Sequence, residues 1–110
     1  MMIYDERMDK ECLILCDALN AIPGIKTFES CCGHGETMYH IWFTAKNVKA
    51  LCSPTMGCSQ NYCGHFGWHI EVDHVESPNK AIFLLEGPIG EEAYAAAGDI
   101  AKTIAGFQTI

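Results

Sequence analysis

"WHIEVDHVESPNKAIFLLEG", residues 68–87, is the stretch that decides the fold class of this chain. Its first eight residues alternate, with Trp68, Ile70 and Val72 on one side of an extended strand and His69, Glu71 and Asp73 on the other. "ESPNK" (76–80) supplies turn chemistry, and "AIFLLEG" (81–87) is apolar almost throughout, as a central strand is. Two strands joined this closely read as antiparallel neighbours.

Upstream, "MYHIWFT" (38–44) is a further alternating strand, with Tyr39, Ile41 and Phe43 opposite His40 and Trp42. "IKTFES" (25–30) reads as a short strand and "CCGHGET" (31–37) as the loop between the two. Met8, Cys12, Leu15, Cys16, Leu19 and Ile22 recur at helical spacing, which predicts a helix from about Asp9 to Asn20 stopped by Pro23-Gly24. Thr44 is expected to cap a second helix over "AKNVKALC" (45–52), before an irregular loop, "SPTMGCSQNYCGHFG" (53–67). Glu91 and Glu92 suit a helix N-terminus; Tyr94, Ala97, Ala101 and Ile104 mark that helix's buried face, and Gly106 its end. The predicted architecture is α+β, one domain over residues 1–110, in the order α-β-β-α-β-β-α. Its four-stranded antiparallel sheet carries helices mainly on one face.

Composition narrows the function classes. The 110 residues are 49% apolar, with no run approaching a membrane span. The acidic N-terminus, "MMIYDERMDKE", does not resemble a secretory signal, so a cytoplasmic setting is expected. Seven cysteines, an odd number, should then be thiols. The net charge of −7 argues against general nucleic-acid binding and leaves room only for a local basic patch.

If the apolar sides of the strands face the helices, the other sheet face displays His40, Trp42, His69, Glu71 and Asp73. Such a face is a solvated surface, a homodimer interface burying Trp42, or a ligand or acid–base site built on His69, Glu71 and Asp73. A second constellation is the repeated Cys-Gly-His triplet, at 32–34 and 63–65. Cys32, His34, Cys63 and His65 could supply four zinc ligands, since glycine lets the chain turn tightly between two of them. The one-residue spacing is not a standard zinc knuckle, and small buried cysteines beside loop histidines explain it equally. Cys31 or Cys32 beside His34, with Glu29 or Glu36 orienting the ring, would be a nucleophile–base pair. Cys12 and Cys16, four apart on one helix, continue an apolar stripe and are assigned to the core.

"LNAIPGIKTFESCCGH" (19–34) resembles the N-terminal segment of the wybutosine-synthesising (Tyw3-like) proteins, through Leu19, Asn20, Pro23, Thr27, Ser30, Cys31 and Gly33. The closing helix, ending in Gly106-Phe107, is similar to theirs as well, while His34 stands where that family has arginine. The resemblance implies an α+β fold that binds S-adenosylmethionine and methylates a modified guanosine in tRNA, with Ser30, Cys31 and His34 near the reacting group.

Three functions follow as expectations. The first is a small ligand-binding or interaction domain, forming a homodimer, whose loop of Ser30, Cys31, Cys32, Gly33 and His34 borders the site. The second is a distant RNA-modifying enzyme, and the third a zinc module held by both triplets. In each, the glycines of the loop let backbone N–H groups approach a ligand, and His34 and His65 are expected to be partly exposed.

Overall fold

Helix α1 (Lys10–Asn20) places Cys12, Leu15, Cys16 and Leu19 on one buried face, as the four-residue repeat requires. The computed structural model describes residues 9–46, 48–52, 54–55, 67–77 and 80–108. After α1 the chain turns through Pro23-Gly24 into strand β1 (Ile25–Cys31). Asn20 brackets this turn: its side-chain amide donates to Thr27 Oγ1 and its carbonyl oxygen accepts from Thr27 N–H, both at 2.8 Å. Asn20 and Thr27 therefore hold the turn between α1 and β1.

Strand β2 (Met38–Ala45) follows the Cys-Gly-His loop, and β3 (His69–Ser77) and β4 (Lys80–Ile89) form the hairpin expected from the sequence. Helix α2 (Glu91–Gln108) closes the described fold. The sheet is wholly antiparallel in the order β1-β2-β4-β3, so the most apolar strand lies between two others. Helix α1 packs on β1 and on α2, and α2 packs on β4. Tyr39, Ile41, Phe43 and Leu85 from the sheet meet Leu15, Leu19, Ile100 and Ile104 from the helices, all fully buried. Each such apolar side chain contributes about 1.5–3 kcal/mol by leaving water.

Three expectations change. Strand β2 runs on through Thr44 and Ala45, so Thr44 pairs with Lys26 and Ile82 and caps no helix. The middle helix is reduced to a 3-10 turn at Val48–Leu51 with helical Cys52, Pro54 and Thr55 beyond it. Gly106 lies within α2, which continues to Gln108. Strand β3 also departs from clean burial. Trp68 is fully covered, its indole flat against Gly87, where a Cβ would come within 2.8 Å of the ring. Val72, on the same side by alternation, is 57% exposed. The cause is position: β3 is an edge strand, exposed throughout from Glu71 to Ser77, and bulges at Val72/His74 and Val75/Ser77 break its period.

A bulge in β1 matters more. Thr27 pairs with Phe43, yet Glu29 pairs with Trp42, so one extra residue enters between them. Thr27 and the Ser30 hydroxyl are consequently both buried, three positions apart instead of two or four. Cys31 is left opposite His40, and Cys32 enters the core.

Candidate functional site

The chain leaves β1 through Cys31 and Cys32 and reverses in a left-handed turn. Gly33, His34 and Gly35 all have positive φ, at 81°, 51° and 79°. His34 is the only non-glycine residue with positive φ among the described residues, a conformation that costs an L-residue energy unless its surroundings hold it. They do. The Gly33 carbonyl accepts from the N–H groups of Glu36 (2.9 Å) and Thr37 (3.0 Å). Gly33 N–H donates to Cys31 Sγ at 3.3 Å, and His34 N–H to Cys32 Sγ at 3.4 Å. Backbone donors thus point at two successive sulfur atoms.

Asp9 completes the arrangement. It occupies the N-cap position of α1, where an aspartate normally accepts from its own helix, but it makes no such bond. Its Oδ2 accepts instead from Cys32 N–H at 2.8 Å and lies 3.7 Å from His34 Nε2. The other ring nitrogen of His34 is 3.8 Å from Cys32 Sγ. One ligand atom each from Asp9, Cys32 and His34 therefore lies within 4.8 Å of the other two. The edges of a tetrahedral zinc site with such ligands are about 3.3–3.6 Å.

The three groups differ in exposure and charge. Cys32 is buried, Asp9 mostly covered, and the His34 side chain 69% exposed, so the cluster runs from the core to solvent. Burial pushes the Asp9 carboxyl up, but the Cys32 N–H and thiol, His34 and the Cys31 thiol outweigh it and hold it below its ordinary value. Burial pushes the Cys32 thiol up, against the His34 N–H and the Tyr94 hydroxyl, which favour its thiolate; Asp9 adds to the rise. A neutral buried thiol is a poor nucleophile, which weighs against free-thiolate catalysis at Cys32. A metal ion would reverse that balance by displacing the proton.

The other expected site residues separate. Ser30 turns inward: its buried Oγ makes no well-formed hydrogen bond and has the Cys12 and Cys16 thiols as polar neighbours. Burial raises both thiols, Cys12 to about 12, in keeping with a core assignment. Cys63 and His65 lie outside the described residues.

His69 and Glu71 do lie together on the open sheet face, where His69 Nε2 is 3.9 Å from Glu71 and 3.4 Å from Glu86. Asp73 is diverted by the β3 bulge and pairs with His74 at 2.8 Å. Asp9 and Glu86 were not singled out from the sequence. Asp9 is 23 positions from its partner and reads as a helix start. Glu86 did carry a signal, as the one charged residue within an apolar strand.

No sequence-family profile, no curated protein and no solved structure matches this chain. No described helix is long and apolar enough to cross a membrane.

Proposed function

We propose that this protein is a small metal-dependent ligand-binding domain, in which Asp9, Cys32 and His34 hold a zinc ion beside the Gly33–Gly35 turn. The observation that carries this reading is the convergence of three chemically different ligand atoms within 4.8 Å of one another. Oxygen, sulfur and nitrogen in one place suit zinc better than calcium or magnesium, which prefer oxygen alone. Three protein ligands leave a fourth position open, and that position, on the solvent side marked by His34, is where a small molecule would bind. Cys31, whose thiol also meets the Asp9 carboxylate, borders the same opening. The five described cysteines are unpaired, which favours a reducing, cytoplasmic setting in which thiolates remain available.

The test is metal analysis of untagged protein purified without chelator and then titrated with zinc. About one zinc per chain, lost on Cys32→Ser, is expected, with release of about one proton per zinc as the raised Cys32 thiol ionises. Zinc content unchanged in Cys32→Ser, or none taken up from micromolar zinc, overturns the reading. A parallel Cys63→Ser variant assigns or removes the second triplet as a contributor.

A further inference from the structure

The opposite end of β1 carries a different chemistry. Lys26, Lys46 and Lys80 line one groove of about 410 Å³, with Gly24, Thr44 and Ala45 between them. The groove continues over Phe28 and Ile82, apolar residues of the open sheet face, and Phe28 is 50% exposed. Strand pairing sets this arrangement: Lys26, Thr44 and Ile82 are register partners across β1, β2 and β4.

The charge is anomalous. The chain has seven basic residues against fourteen acidic ones, yet three lysines share this concavity and no carboxylate lines it. Lys80 pairs with Glu76 at 3.1 Å, but among the described residues Lys26 and Lys46 pair with no carboxylate. Neighbouring ammonium groups repel unless an anion lies between them. Lysine recognises phosphate as a point charge, the Thr44 hydroxyl offers a further donor, and Phe28 offers a flat apolar surface.

We propose that this groove binds a small phosphate-bearing molecule with a flat aromatic portion, its phosphate among Lys26, Lys46 and Lys80 and its ring on Phe28. A net charge of −7 disfavours a long polyanion, so a small molecule fits better than a nucleic-acid strand. The groove lies about 20 Å from the Cys32–His34 cluster along β1, so the proposal stands apart from zinc binding.

The experiment is a titration with ADP, phenyl phosphate, inorganic phosphate and adenosine at low ionic strength, followed by calorimetry and by backbone NMR shifts. ADP or phenyl phosphate is expected to bind and to shift the residues of the groove. Lys26→Gln with Lys46→Gln should weaken that binding about tenfold or more. Phe28→Ala should weaken the aromatic probes while sparing inorganic phosphate. All three side chains are on the surface, so melting should be unchanged, and Lys26→Gln alone serves if the double variant melts early. Failure of both aromatic phosphates to bind overturns the proposal. So does binding indifferent to the lysines, or an oligonucleotide that uses the same lysines and binds more tightly than ADP.

Discussion

Among the described residues two histidine–carboxylate clusters bring three possible metal ligands together, and they are built differently. Around His34 the backbone does the positioning: a left-handed turn, two N–H groups on sulfur and a third on the Asp9 carboxylate. Around His69 only side chains on an open sheet converge, with His69 and Glu71 about half exposed and, among the described residues, no backbone donor aimed at them. Preorganisation separates the two, because a ligand set held by backbone has already lost the freedom that binding would otherwise remove.

The sharpest way to break the comparison is zinc affinity. His34→Ala should weaken zinc binding about 100-fold, whereas His69→Ala should change it less than about threefold. Equal losses in calorimetric titration would place the metal elsewhere.

Stability gives the next largest contrast, within the turn itself. A Cβ on Gly33 would lie 3.2 Å from both the Met38 carbonyl oxygen and Thr37 Oγ1, while one on Gly35 meets nothing within 4 Å. Gly33→Ala should therefore cost about 2–3 kcal/mol in denaturant unfolding, and Gly35→Ala about 1 kcal/mol from backbone strain alone. Similar values for both would mean that the turn relaxes freely.

The smallest effects are in pH, and the two halves of the molecule respond with opposite sign. Asp9 is held below its ordinary value when folded, so its stabilisation is complete above about pH 4 and lost as pH falls through the folded value. Asp9→Asn should flatten that acid limb. On β3, hydrogen bonding to Asp73, opposed by desolvation and joined by Glu76, raises His74. Its stabilisation is full below about pH 6.5 and lost as pH rises through the folded value. Asp73→Asn should move the NMR titration of His74 downward; an unmoved midpoint would discount the 2.8 Å pair.

Much of this was legible in the sequence, for physical reasons. Period-two alternation aimed Tyr39, Ile41 and Phe43 at the helices, and period-four spacing did the same for Cys12, Leu15, Cys16 and Leu19. The Cys-Gly-His loop was visible as a glycine-rich turn. What stayed hidden came from irregularity and distance. The β1 bulge adds one residue without a glycine or proline to announce it, and so turns Ser30 inward and leaves Cys31 opposite His40. Asp9 joins Cys32 only because α1 lies beside the end of β1, a tertiary fact no local window contains. The lysine groove likewise gathers residues 26, 46 and 80, which are far apart along the chain.

The two tryptophans give the molecule optical gauges of its own. Trp68, buried flat on Gly87 with its ring centroid 5.2 Å from that of Tyr39, emits from a dry site and accepts excitation from that tyrosine. Trp42 stands half-covered on the opposite face of the sheet, beside Glu29 and Leu84. A blue-edge signal therefore follows the integrity of the core, and a redder, quencher-accessible one follows the open face. Fluorescence can thus separate loss of folding from occupancy of the sheet surface in a single cuvette.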